Sequence, residues 1–259
     1  MLFLFTFYFL LFTFNFVLQT KGLMDIRVIA IDGPAGSGKS SAARRLAEAI
    51  GYAHLNTGAM YRAVAFLATE SFIDLDDTSK ANAIAAIAGK MKFEYRIEQG
   101  RQHFIVNGHD RTDELFRATL TERLKPVVNN LAVRSALVGK MRSAVAAFLA
   151  AGTKGVVMEG RDIGTVVFPK APVKFYIHAD LESRTKRRAA ELRARGESVD
   201  FDGLRKQIQY RDDADRAREV GGLKQAPDAI DVDTTHFDLE ETVQRLREEV
   251  RKKLQQKSP

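Results

Sequence analysis

From Arg27 onward, short continuous apolar runs alternate with longer segments whose apolar residues recur every third or fourth position. "RVIAID" (27–32), β-branched and closed by a turn, predicts a buried strand. "GKSSAARRLAEAI" then places Ala43, Leu46, Ala47 and Ile50 on one helical stripe, with Gly51 as the stop. The alternation continues with "YAHLNT" as strand, "GAMYRAVAFLATES" as helix, and "KGVVMEG" and "VKFYIHA" as two further strands. "LESRTKRRAAELRARG" reads as a charged helix closed by Gly196 and "DAIDVDTT" as a last strand. "DLEETVQRLREEVRKKL" reads as a last helix with Asp238 as its N-cap. Such alternation predicts an α/β fold whose parallel sheet is covered by helices on both faces.

Three stretches break the rhythm. Residues 92–108, "KFEYRIEQGRQHFIVNG", alternate apolar and polar about Gly100, which predicts an antiparallel hairpin hanging off the core. Residues 182–220 are crowded with Arg, Lys, Asp and Glu, so a surface flap or helical hairpin outside the core is expected. The N-terminus, "MLFLFTFYFLLFTFNFVLQT", holds an apolar run of about 18 residues, long enough for a membrane helix or signal segment. It has no basic region before it and no small-residue cleavage site after it, and Met24 immediately precedes "DIRVIAIDG". Residues 1–23 are therefore read as an extension from a misassigned start, with a membrane anchor as the rival reading, and 24–259 as the working domain. N-terminal sequencing of the native protein separates the two.

Composition narrows the chemistry. The chain has no cysteine, which excludes disulfides, thiolate zinc sites and cysteine nucleophiles, and its five histidines show no helical metal spacing. A net charge of +7 points to a polyanionic partner, either nucleic acid or phosphorylated small molecules. The motif "GPAGSGKS", Gly33 to Ser40, decides for phosphate, because it satisfies G-x-x-x-x-G-K-[ST] between a predicted strand and a predicted helix. Backbone N–H groups of Gly36, Ser37, Gly38, Lys39 and Ser40 can turn around a β-phosphate. Lys39 then reaches the β/γ oxygens and Ser40 offers its hydroxyl to Mg²⁺. No Asn-Lys-x-Asp guanine reader and no Leu-Ser-Gly-Gly signature occurs, which leaves a kinase as the leading class.

The acceptor side is read from three further stretches. "NTGAMYR" puts Thr57 and Gly58 at a helix start and Arg62 one turn on, a geometry suited to a monophosphate. "EGRDIGTVVFP" follows a strand expected beside the P-loop strand. It sets Glu159 within reach of the Mg²⁺ hydration shell, with Arg161 and Asp162 at the carboxyl edge of the sheet. "YRDDADRARE" places Arg211, Asp215 and Arg218 at i, i+4 and i+7, on one face of a helix.

In this order and spacing, "GPAGSGKSS", "NTGAMYR", "EGRDIGTVVFP" followed by "APVKFYIHA", and "RDDADRAR" resemble bacterial cytidylate kinases over residues 26–251. The resemblance implies the nucleoside monophosphate kinase fold, with an acceptor-binding insert at about 84–150 and a lid at about 182–215. It implies transfer of the γ-phosphate of Mg·ATP to CMP or dCMP by a cytoplasmic monomer that needs no nucleic acid. The donor loop would comprise Gly33, Pro34, Ala35, Gly36, Ser37, Gly38, Lys39, Ser40 and Ser41, with Ser40 as the metal hydroxyl. Thr57 and Arg62 would meet the acceptor phosphate with help from Arg161. Asp162, Arg134 and Arg218 would read the cytosine edge, and Asp215 would bind the ribose. Arg211 would sit between the phosphates, and Arg187 on the lid helix would close over ATP. Lys39, Arg161, Arg187 and Arg211 would thus act in catalysis. Lys125 stands nine residues before Arg134, where the family often has a serine for the base. A UMP or AMP kinase and a non-catalytic RNA-binding protein are the alternatives.

Overall fold

A computed structural model describes residues 27–98, 101–194 and 196–255 of the chain. The extension at 1–23 and the hairpin turn at Gly100 lie outside the described residues. No helix among the described residues is long and apolar enough to cross a membrane.

The first strand, β1 (Val28–Asp32), has no exposed face because its alternating side chains serve two layers. Val28 and Ala30 enter one apolar cluster, Ile29 and Ile31 the other. It feeds α1 (Lys39–Ile50), and β2 (Ala53–Asn56) feeds α2 (Thr57–Glu70). A further helix, α3 (Ala81–Lys90), precedes β3 (Phe93–Glu98), β4 (Arg101–Val106) and the short β5 (His109–Asp110). Three short helices follow, α4 (Thr112–Leu115), α5 (Ala118–Glu122) and α6 (Lys125–Asn129), then the long α7 (Leu131–Ala150). The chain returns to the sheet as β6 (Val156–Gly160), makes a π-helical turn at Ile163–Val167, and re-enters as β7 (Val173–His178). The hairpin of α8 (Leu181–Ala194) and α9 (Phe201–Ala217) leads to β8 (Ile230–Asp233) and α10 (Leu239–Gln255).

The five-stranded sheet runs β2-β6-β1-β7-β8 and every neighbouring pair is parallel. On one face α1 and α10 contribute Leu46, Ala47, Val243 and Leu246 against Ile31, Phe175 and Val232. On the other, Met60 and Val64 of α2 and Leu137 and Met141 of α7 pack over Val28, Ala30 and Met158. Burying one such leucine side chain contributes about 2 kcal/mol, so this two-sided cover fixes the sheet and its carboxyl edge.

Two sequence expectations change. The antiparallel sheet β3-β4-β5 does not hang off the core: Phe104 and Val106, inward by the strand's alternation, belong to the same apolar cluster as Val28 and Met158. The charged stretch 182–220 is a helical hairpin, as its composition suggested, yet it is not confined to the surface. Arg184 and Asp212 are buried at 4% and 0% exposure and pair with each other across α8 and α9. Pairing, together with hydrogen bonds to backbone, is what allows charged residues into the interior.

The predicted N-cap at Asp238 is present as a reciprocal box. Its Oδ1 accepts from the Glu241 amide at 2.8 Å, and the Glu241 Oε2 accepts from the Asp238 amide at 2.9 Å. We expect Asp238→Ala to lose about 1 kcal/mol of stability, read as a lower urea midpoint with an unchanged slope.

Candidate active site

The loop after β1 turns sharply because Gly36 and Gly38 take φ of +72° and +79°, the left-handed region that a Cβ disfavours. Gly38 is the N-cap of α1, so the helix opens with unpartnered amides facing the sheet edge. Lys39, its first residue, is buried and donates from Nζ to the Pro34 carbonyl at 3.0 Å, and Ser37 Oγ donates to the same carbonyl at 3.1 Å. Burial, reinforced by the Arg161 guanidinium, lowers the Lys39 ammonium to about 7. Ser40 Oγ donates to Glu159 Oε2. Ser41 is exposed and makes no side-chain hydrogen bond among the described residues.

Register assembles the opposite wall. In the sheet Ile31 and Asn56 both pair with Glu159, which brings the ends of β1, β2 and β6 level. Asn56 caps α2 by accepting from the Ala59 amide at 3.2 Å, and Thr57 Oγ donates to the Glu159 carbonyl at 2.7 Å. The Asp32 carboxylate accepts from the Ile163 and Gly164 amides at 2.8 Å each, fastening the loop that carries Arg161 and Asp162 to β1. Burial raises Asp32 to about 6 in spite of those donors.

The cations meet here. Arg62 donates to the Leu115 carbonyl at 3.2 Å and to Thr121 Oγ at 2.6 Å, and its guanidinium lies 5.2 Å from the Phe116 ring centroid. Burial lowers it to about 10, followed by repulsion from Arg211, Arg188 and Arg161. Burial likewise lowers Arg211 to about 10, with Arg161 the next cause. Arg161 donates from Nε to Asp215 Oδ2 at 2.9 Å, and Arg218 donates from Nη2 to Asp215 Oδ1 at 2.8 Å. Burial pushes Asp215 up, but the two arginines outweigh it and hold the carboxyl at about 2.

Some predicted residues take other places. Arg218 does not continue the face of Arg211 and Asp215: α9 ends at Ala217, and Arg218 is its extended cap residue, reaching Asp215 and, at 2.9 Å, Asn129 Oδ1. Arg187 stands apart from the cation group. It donates to the Thr234 and Phe237 carbonyls and to Thr234 Oγ. Its neighbour Arg188, about 100° further round the helix, is the one that bears on Arg62 and Arg211. Arg134 and Asp162 pair in the interior, with Arg134 also donating to the Gly221 and Val128 carbonyls at 3.2 Å. Lys125 donates to the Tyr210 hydroxyl at 2.9 Å, joining α6 to α9.

Sequence reasoning did not single out Arg188, His54 or the Arg184–Asp212 pair. The last holds Ala35 of the loop from both sides: Arg184 donates to its carbonyl at 3.0 Å, and Asp212 accepts from its amide at 3.3 Å. The i, i+4 spacing of Arg184 and Arg188 was a legible signal for one helix face. His54 carries none, since a single histidine in an apolar strand has no motif.

The family profile described as Cytidylate kinase matches residues 29–252. The chain belongs to the cytidylate kinase family. The Cytidylate kinase of Geobacillus sp. (strain WCH70) is 40% identical over 226 residues, 87% of this chain and 97% of its own. That of Lactobacillus gasseri (strain ATCC 33323) is 36% identical over 236 residues, 91% of this chain and 99% of its own. Among solved structures, TT1252 from Thermus thermophilus is similar over 90% of this chain and 99% of its own, at 20% identity and a TM-score of 0.45.

Enzymes of this family are phosphotransferases, and the donor set suits a hard cation carried in on phosphates. Among the described residues no group of three or more His, Asp or Glu side chains could hold an ion by itself. Glu159, however, is a buried carboxylate with Oε2 on the Ser40 hydroxyl and Oε1 without a hydrogen-bond partner among the described residues. Oxygen donors of this kind, with water and phosphate completing the shell, fit Mg²⁺.

Because Asp215 is held below its ordinary 3.8, its contribution is complete above that value and is lost as pH falls toward 2. Asp215→Asn is therefore expected to lower stability by about 2 kcal/mol at pH 7. The gap to wild type should close between about pH 4 and pH 2 in acid denaturation followed by circular dichroism.

Proposed function

We propose that this enzyme transfers the γ-phosphoryl group of ATP to the 5′-phosphate of CMP or dCMP, giving ADP and CDP or dCDP. The observation that carries the reading is the concentration of Lys39, Arg62, Arg161, Arg188 and Arg211 at one edge of the sheet, where Arg161, Arg188 and Arg211 depress the proton affinity of their neighbours. Two nucleotides, bringing phosphates from opposite sides, relieve that repulsion.

The loop from Gly33 to Ser41 cradles the ATP phosphates, and Lys39 leaves the Pro34 carbonyl to reach them. Ser40 and Glu159 would hold Mg²⁺. When bound, the ion neutralises charge on the donor phosphates. Thr57 and Arg62 receive the acceptor phosphate at the start of α2. Arg161 and Arg211 lie between the donor and acceptor phosphates, where charge accumulates during transfer. No side-chain base is needed, since the acceptor phosphate is already anionic at neutral pH. Catalysis is alignment and charge neutralisation.

Asp215, already fixed between two arginines, accepts from the ribose hydroxyls. Arg134, Asp162 and Arg218 present donors and an acceptor to the cytosine edge. Residues of about 84–150 form the acceptor-binding insert, and about 182–215 form the lid, with Arg188 in the role first read for Arg187. Lid closure excludes the water that would otherwise compete as acceptor. We read the enzyme as a cytoplasmic monomer, as the resemblance of its motifs implies.

The test is ADP release with Mg·ATP across CMP, dCMP, UMP, AMP and GMP, using protein that begins at Met24. Turnover confined to CMP and dCMP is expected. A preference for UMP or AMP would keep the kinase and remove the cytosine reader. Arg62→Ala should raise the acceptor KM on the order of a hundredfold, the loss of a buried charge-assisted contact, while ATP affinity is unchanged. An equal fall in ATP affinity would place Arg62 elsewhere.

A further inference from the structure

His54 is a buried titratable residue that the reaction above does not use. It lies on β2 at 2% exposure, between the antiparallel sheet and Glu159. On one side its Nδ1 is 2.6 Å from the side-chain amide nitrogen of Gln102, a β4 residue, and 3.5 Å from the hydroxyl of Tyr95 on β3. Tyr95 stands edge-on to the imidazole with ring centroids 6.3 Å apart. On the other side Nε2 is 3.5 Å from Glu159 Oε1. These two buried atoms, Nε2 and Oε1, have no hydrogen-bond partner among the described residues, and they lie next to each other.

The chemistry of the ring orders the contacts. The Gln102 amide is a donor at its nitrogen, so Nδ1 accepts, and a neutral imidazole with Nδ1 as acceptor carries its proton on Nε2. That N–H lies beside Glu159 Oε1, 3.5 Å from nitrogen to oxygen. The other oxygen of Glu159 holds Ser40, at the opening of α1. A continuous line of polar contacts thus runs from β4 through Gln102, His54 and Glu159 to Ser40. It joins the sheet of the acceptor-binding insert to the donor loop.

We propose that His54 is a positioning residue: it aims the Glu159 carboxylate at the cation accompanying ATP, and the insert holds it to that task through Gln102. The proposal rests on the reading of Ser40 and Glu159 as the Mg²⁺ side of the donor site. Carboxylates that serve a cation are commonly oriented by a neighbouring donor, whose removal costs roughly 10- to 100-fold in metal affinity.

The experiment measures ATP affinity of the full chain by titration calorimetry, once in MgCl₂ and once in EDTA, for wild type, His54→Leu, His54→Gln and Gln102→Leu. Thermal unfolding of each variant is followed alongside. His54→Leu is expected to lose the Mg²⁺-dependent gain in ATP affinity on the order of tenfold, with affinity in EDTA unchanged. His54→Gln, whose amide nitrogen reaches where Nε2 stood, should restore it. Gln102→Leu, which touches neither Glu159 nor the donor loop, should lose part of the same gain. A His54→Leu enzyme with the full gain, or with an equal loss in EDTA, overturns the proposal. If His54→Leu does not fold, Gln102→Leu decides alone, and an unchanged gain there overturns it. A wild-type enzyme showing no Mg²⁺ gain overturns the reading of Glu159 itself, before any variant is compared.

Discussion

Repulsion among buried cations is the constraint around which this molecule is arranged. Lys39 and Arg211 each feel Arg161, and Arg62 feels Arg211, Arg188 and Arg161, all in a place where burial already disfavours charge. Left to itself such a group would swing its side chains into water or lose protons. Three of these cations are instead tied down by something local. Lys39 rests on the Pro34 carbonyl, Arg62 on Leu115 and Thr121, and Arg161 on Asp215. A cleft held ready in this way has its electrostatic cost met during folding, so any anion entering it is met by dipoles and charges already in place.

The sheet supplies the rigidity that this requires. β1 lies in its middle, buried on both faces, and β2 and β6 end level with it through the shared partner Glu159. Asp32 then fastens the Arg161 loop to β1 by two backbone hydrogen bonds. The helix pair α8–α9, which carries Arg188, Arg211 and Asp215, is anchored by Arg184 and Asp212 to the donor loop. Breaking such a buried pair by removing one partner is costly, about 3–5 kcal/mol, since the other charge is left without compensation.

The strand and helix alternation was legible because apolar period and turn chemistry agreed at each element, from β1 through the capped α10. The donor loop was legible for the same reason: its glycines and Lys39 act through backbone geometry that the local sequence sets. What could not be read was helical phase in the charged hairpin. Arg187 and Arg188 are adjacent in "TKRRAA", and only the packing of Ala189 and Thr185 beneath them decides which one faces the cleft. The end of α9 was hidden similarly, since nothing in "DADRARE" breaks a helix, and Arg218 leaves it to reach Asn129 and Asp215. Contacts between distant segments, such as His54 with Gln102 or Arg184 with Ala35, are tertiary facts with no local signature.

The grip on Ala35 sets a pivot. Arg184 sits near the start of α8 and Asp212 near the end of α9, so the hairpin is pinned at its base, away from its tip. From the pin each helix extends roughly ten residues, an arm of about 15 Å. Arg188 lies close to the fulcrum, one turn out, whereas Arg193 and Arg205 ride near the far end. Any rotation about this pin would therefore move the outer arginines roughly twice as far as Arg188. The inner cation lies nearest the loop at Ala35 and the outer ones furthest from it, so the hairpin has the geometry of a lever with two unequal strokes.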